Sequence, residues 1–196
     1  IVEDRMITHY LYGGDEVYRL LQEAILGIGG IKMLENLGYK SLKKYHMNEG
    51  HSSLLAIELL KKNFYLLQNA FKEKQSEEII NQAAENVRKM CVFTTHTPIP
   101  AGHDQFSYNL VKHVLGEYAK IDDNIDLLKK FGGQDKLNMT LVALNLSRYV
   151  NGVAKAHGKV SRDMFPGYSI DSITNEVHSF TWVSDSFKQL YDKFIP

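Results

Sequence analysis

Five of the eight histidines fall in three short polar stretches. His46 and His51 flank Asn48 and Glu49 in "YHMNEGHSS". His96 and His103 bound "HTPIPAGH", which also holds Thr97, and His178 closes "ITNEVH" after Asn175 and Glu176. Two kinds of chemistry suit such residues. Imidazole and carboxylate groups ligate metals, and His46, Glu49 and His51 form a candidate set. Their spacing is not the His-Glu-x-x-His pattern that puts two histidines on one helical face, so only a loop could converge them. Alternatively, His, Asn, Glu and Thr supply the mixed donors and acceptors that sugar hydroxyls require. Tyr45, Phe93 and Trp182 lie near these stretches in sequence, as aromatic surface or as core. A serine hydrolase is disfavoured because no Gly-x-Ser-x-Gly elbow occurs.

The elements around these stretches decide whether the histidines can meet. "CVFTT" ends at His96 and reads as a buried strand, with the loop behind it stiffened by Pro98 and Pro100. A short strand near Tyr45 precedes His46, and a helix is expected from about Ser52 to Lys62. "SITNEVH" leaves a strand for a loop. Short apolar strands alternating with longer helices indicate βαβ units and a mostly parallel sheet. In such sheets ligands bind beyond the C-terminal strand ends. Three loops then share one edge: His46–His51, Thr95–His103 and Thr174–His178.

The longest periodic segment is "DEVYRLLQEAILGIGGIKMLENLG". Val17, Leu20, Leu21, Ala24, Ile28 and Ile31 recur at helical spacing, with Asp15 as N-cap and Gly38 past the end. Gly27, Gly29 and Gly30 would each cost roughly 1 kcal/mol against alanine, and close helix packing is the expected compensation. They are not a phosphate loop, since no strand precedes them and no Gly-Lys-Ser/Thr follows. "SEEIINQAAENVRKM" predicts a helix capped by Ser76. Further helices are expected over Ser107–Tyr118, Asp122–Phe131, the whole of "NMTLVALNLSRYV", "KAHGKVSRDMF" and "SDSFKQLYDKF", with "VNGVA" a short strand or turn.

Composition excludes several classes. Lys plus Arg equals Asp plus Glu at 23 each, so neither a nucleic-acid nor a membrane partner is indicated. No apolar run reaches the roughly 20 residues of a bilayer span, and no signal-peptide pattern opens the chain. The single cysteine, Cys91, excludes an internal disulfide and fits a reducing cytoplasm. The chain opens at Ile1 inside a polar run and stops at Pro196 after an apparent helix. Both ends read as cut, and a longer protein is expected.

Five stretches in order, "LYGGDEVYRLLQEAILGIGG", "YHMNEGHSS", "FTTHTPIPAGHDQF", "NMTLVALNLSRYVNGVAKAHGKVSRDMF" and "ITNEVHSFTW", resemble the α-glucan phosphorylases, and the shorter bacterial and archaeal branch in particular. The resemblance covers nearly the whole chain. It implies an α/β fold with a Rossmann-like parallel sheet and flanking helices, part of a GT-B glycosyltransferase. Residues 1–165 would be the later part of the N-terminal domain. Residues 166–196, from Pro166-Gly167 onward, would be the crossover toward a C-terminal domain. The implied reaction is phosphorolysis of an α-1,4-glucan to glucose 1-phosphate, with glucan and phosphate as partners and pyridoxal phosphate as cofactor. A homo-oligomer is left open.

Residue by residue, His96 matches the catalytic histidine of the family. Its side chain is used on the sugar 6-hydroxyl and its backbone carbonyl lies near the anomeric carbon. Asn175 matches an asparagine on the same hydroxyl. Glu49 and His51 match the loop facing the acceptor glucan, with Thr97 a further substrate-binding candidate. His46 and Asn48 are expected to be structural, and no metal site is implied. The cofactor lysine context, Glu-Ala-Ser-Gly-Thr followed by Asn-Met-Lys, does not occur in this sequence, so no cofactor-binding residue is assigned here. The 196-residue chain alone is expected to be inactive. A glucan-binding module without catalysis, or another GT-B transferase, is the alternative. One departure stands out: Glu176 replaces the glycine of the family's Thr-Asn-Gly. A positive φ there would strain it, so residues Asn175–His178 are expected to relax into the least ordered of the three loops, unless Glu176 is a harmless variant at an ordinary φ.

Overall fold

The computed structural model describes residues 3–71, 77–119 and 121–195. Four parallel strands make the central sheet. They are β1 (Tyr45–Asn48), β2 (Cys91–Thr95), β5 (Tyr149–Gly152) and β6 (Asp171–Ser172), in the spatial order β1-β2-β5-β6. A second, antiparallel pair, β3 (Gln105–Ser107) with β4 (Lys136–Asn138), packs Phe106 opposite Leu137. The α/β class and the parallel sheet agree with the sequence reading. The antiparallel pair was not anticipated, since three-residue strands carry no usable periodicity.

Helices flank the sheet. The glycine-interrupted segment is continuous: α1 (Glu16–Ala24) runs through a π-helical turn at Ile25–Gly29 into α2 (Gly30–Asn36). Asp15 caps it, accepting from the Tyr18 amide at 2.9 Å. Gly38 takes φ +92 just beyond its end. The packing explanation holds for Gly27 only. A Cβ there would stand 2.7 Å from the Leu55 amide nitrogen, whereas Gly30 has nothing within 4 Å. The crossover from β1 to β2 is α3 (Leu54–Phe71) and α4 (Glu77–Met90), so the first of these runs well past Lys62. Ser76, the expected cap of α4, lies outside the described residues.

The remaining helices are α5 (Tyr108–Ala119), α6 (Ile121–Gly132), α7 (Met139–Asn145), α8 (Lys155–Met164), α9 (Ser179–Trp182) and α10 (Asp185–Phe194). The single helix expected over "NMTLVALNLSRYV" is corrected. It stops at Asn145, and Tyr149 and Val150 join β5. The Arg148 amide already bonds the Cys91 carbonyl at 3.0 Å, so sheet pairing captures the chain three residues after the helix ends.

Phe93, Met47, Leu60, Leu54, Val87, Met139 and Leu137 are among the largest fully buried side chains and centre the core on β2. Tyr45 packs against this core and Phe93 is within it, while Trp182 is 75% exposed. Burial pushes the Cys91 thiol up to about 12, consistent with an inert core position. No described helix is long and apolar enough to cross a membrane.

Candidate active site

β1 and β2 run side by side, with Asn48 opposite Thr94. Their C-terminal ends therefore release Glu49 and His96 at the same edge. His96 is the first residue beyond β2, and it is exposed. Its backbone N–H donates to Glu49 Oε2 at 2.7 Å. The Thr97 hydroxyl donates to the same oxygen at 2.9 Å. Glu49 Oε1 accepts from the Gly50 amide at 3.0 Å and, more distantly, from the Thr95 hydroxyl at 3.5 Å. Glu49, His96 and Thr97 thus form one connected unit, with the carboxylate buried and the imidazole outside.

His51 sits one short turn further on, within the 3-10 turn Gly50–Ser52. Its Nδ1–H donates to Asp104 Oδ2 at 2.9 Å. Arg19, on α1, donates to the same Asp104 oxygen at 2.6 Å and reaches Glu23 Oε1 at 3.5 Å. The hydrogen bond to Asp104, followed by that to Glu23, raises His51 to about 9. Burial favours a protonated Asp104, but hydrogen bonds from His51, Glu23 and Arg19 overcome it and hold Asp104 well below the usual carboxylate range. Glu23 is 1% exposed, and burial lifts it to about 8. At neutral pH the cluster is an imidazolium, a guanidinium, one carboxylate and one neutral carboxyl group.

Arg19, Glu23 and Asp104 were not singled out from the sequence. Their only signals were the i, i+4 spacing of Arg19 and Glu23 on a helix and the Asp directly after His103. Ligand-capable atoms of Glu23, His51 and Asp104 lie within 4.8 Å of one another. The Arg19 guanidinium already supplies the positive charge there, so this is an ion-pair network. The other conceivable metal set does not converge. His46 Nε2 pairs with Thr94 Oγ1 at 2.8 Å, Glu49 turns to the His96 loop, and His51 turns to Asp104.

Beside this network lies a pocket of about 350 Å³, lined by residues that include Tyr10, Tyr12, Arg19, Gln22 and His51. The Tyr12 ring stands 5.1 Å from the Arg19 guanidinium and 5.7 Å from the His51 ring. An aromatic surface next to several fixed donors suits a ligand with both an apolar face and hydroxyl groups.

The other histidines do not join the edge. His103 is 7% exposed, bonded to Thr140 Oγ1 at 2.8 Å and edge-on to Phe165, and burial lowers its pKa. His178 bonds the Thr181 hydroxyl at 2.6 Å within its own turn. His46 belongs to a hydrogen-bonded line across the sheet, through Thr94 to Asn151 Oδ1 at 3.0 Å, which is the structural role expected of it. Asn175 continues the parallel pairing past β6, its amide on the Val153 carbonyl at 3.0 Å. Its side chain is exposed and makes no hydrogen bond among the described residues. Glu176 does not take the positive φ that would strain it. Among described non-glycine residues only Tyr12 and Glu49 have positive φ, and the strained residue of this edge is Glu49.

No protein-family model matches the chain. It is 34% identical over 204 residues to the maltodextrin phosphorylase of Thermococcus litoralis, covering 98% of this chain and 23% of that protein. It is 34% identical over 211 residues to the glycogen phosphorylase of Mycobacterium tuberculosis, covering 95% and 23%. It is 30% identical over 205 residues to the glycogen phosphorylase of Aquifex aeolicus, covering 98% and 28%. The chain spans about a quarter of the length of these curated relatives. Along nearly its whole length the chain is similar to one segment of maltodextrin and glycogen phosphorylases.

Proposed function

We propose that this chain is the sugar-binding side of an α-glucan phosphorylase site, within the N-terminal domain of a GT-B enzyme. The observation that carries the reading is His96. It stands exposed at the C-terminal end of the central strand with its backbone tied to a buried carboxylate, in a chain that aligns along nearly its whole length with phosphorylases. A glucosyl unit losing its leaving group develops positive charge at the anomeric carbon. A fixed carbonyl dipole stabilises that charge without having to reorient. The His96 carbonyl is assigned that role and its imidazole the 6-hydroxyl. Asn175 is the second ligand of that hydroxyl. Thr97 and Glu49 support the same loop. His51 serves the acceptor glucan, with Tyr12 and Arg19 lining the same pocket.

Phosphate is the co-substrate in this reading, and pyridoxal phosphate supplies proton exchange through its own phosphate group when bound. The sequence context of the family's cofactor lysine does not occur in this chain, so no step is assigned to it here. Residues 166–196, which supply β6 before leaving the sheet, are assigned to the crossover toward the rest of the enzyme.

The test is a chimera of the Thermococcus litoralis maltodextrin phosphorylase in which this chain replaces the segment it matches. Release of glucose 1-phosphate from maltodextrin and phosphate supports the reading. A chimera that folds and binds pyridoxal phosphate yet releases none overturns it, and leaves a glucan-binding role to be read from maltodextrin affinity.

A further inference from the structure

Glu49 combines three properties that rarely occur in one residue. Its backbone lies at φ 66, ψ 167, a region occupied almost only by glycine. It is 8% exposed. Its carboxylate accepts from the His96 amide, the Thr97 hydroxyl and the Gly50 amide at 2.7, 2.9 and 3.0 Å. The strained backbone is held from several sides. The Glu49 amide donates to the Thr94 carbonyl at 2.9 Å, extending the β1–β2 ladder, and the Ser52 hydroxyl donates to the Glu49 carbonyl at 3.1 Å. Gly50 is pressed against the start of α7, where a Cβ would meet Thr140 Oγ1 at 3.0 Å. A glycine at position 49 would avoid the conformational cost but could not offer a carboxylate.

We propose that Glu49 is a positioning residue for the His96–Thr97 peptide rather than a group that touches sugar. The carbonyl of that peptide lies between two groups that donate to a single oxygen, Glu49 Oε2. One is the N–H of His96 before it, and the other is the hydroxyl of Thr97 after it. Fixing both neighbours fixes the direction in which the His96 carbonyl points. Because the carboxylate is already engaged by three close donors and buried, it is poorly placed to take a sugar hydroxyl as well. The strained backbone aims the carboxylate across from β1 to the loop after β2, which an extended residue continuing β1 would not do. This assignment rests on the phosphorylase reading for its catalytic consequence, but the positioning itself does not.

Two measurements test it. In amide-resolved NMR of the 196-residue chain, the His96 amide proton should resonate downfield and exchange slowly. Glu49→Gln should move it upfield, and Glu49→Gly should speed its exchange at least tenfold while amides of β5 stay protected. Glu49→Gly removes the positive-φ cost, so the measurement stays readable if Glu49→Gln proves unstable. In the active chimera, Glu49→Gln should lower kcat on the order of 10²-fold, as small misplacements of reacting groups do, with KM for maltodextrin within about twofold. An unchanged His96 amide in both variants overturns the proposal. So does a rise in KM at constant kcat, which is the signature of direct glucan binding. A chimera inactive before any substitution defeats the phosphorylase reading alone, and the NMR result then decides the role of Glu49 by itself.

Discussion

Replacing Asp104 by Asn separates the charges that hold His51. In the native chain His51 is flanked by Asp104 at 2.9 Å, by the Arg19 guanidinium at 3.2 Å and by Glu23 at 3.8 Å, and Asp104 is the largest of the contacts that favour the imidazolium. Raising a histidine from 6.5 to about 9 corresponds to about 3 kcal/mol of preference for the charged form. The two side chains are 24% and 27% exposed, so water screens part of this, and about 1–2 kcal/mol is the expected contribution to stability. The folded pKa lies above the unfolded one. That contribution is therefore full below about 6.5 and is lost as pH rises through about 9. Glu23, lifted by burial to about 8, adds to the same trend. The folded state holds its proton where the unfolded state would release it, so stability falls between about 4.5 and 8. In Asp104→Asn the Arg19 guanidinium and Glu23 remain beside His51, so its pKa should fall clearly below about 9, the largest of the raising contacts being gone. NMR titration of the His51 ring in both proteins measures this, and urea unfolding at pH 6 and pH 10 measures the energy. The stability gap between the two should narrow as pH rises, leaving only the Arg19–Asp104 part. A His51 in the variant that still titrates near 9, or a native His51 that titrates near 6.5, would refute the assignment of Asp104 as its partner.

Gly27→Ala should destabilise by about 1–2 kcal/mol, because overpacking against the Leu54–Leu55 backbone outweighs the gain in helix propensity. Gly30→Ala, in open space at φ −57, should instead stabilise by about 0.5–1 kcal/mol. Urea melts of the pair read both signs, and equal effects would mean that the π-helical turn is misassigned. In the chimera, His96→Ala should cost about 2–4 kcal/mol in kcat/KM, carried by kcat; a change confined to KM would place the residue in uniform binding. The chain by itself should release no glucose 1-phosphate from maltodextrin and show no imine absorbance with pyridoxal phosphate, since the lysine context is not in its sequence. Spectrophotometry and a coupled assay check both.

The sheet was legible because its strands are short apolar runs ending in polar loops, and "CVFTTH" marks both the core position and the edge it delivers. Where apolar residues run on without a break, the pattern lost its meaning. "NMTLVALNLSRYV" reads as one buried helix, since periodicity cannot separate a buried helix from a buried strand. What divides it is tertiary. The Asn145 side chain bonds the Phe131 carbonyl, and the Arg148 amide is taken by β2. The same limit governs the histidines. Sequence put five of them in loops at strand ends, but a histidine's role depends on what meets its ring. Thr94 takes His46, Thr140 and Phe165 take His103, and Thr181 takes His178. His51 and His96 are left with a face toward solvent. Backbone strain was harder still to read. Comparison with a glycine-bearing motif pointed to Glu176, where the chain in fact keeps pairing with β5 through Asn175. The positive φ fell instead on Glu49, a residue type that gives no local sign of it. Only the contacts of its carboxylate explain why the cost is borne. A glutamate that must reach the neighbouring strand's loop cannot also continue its own strand.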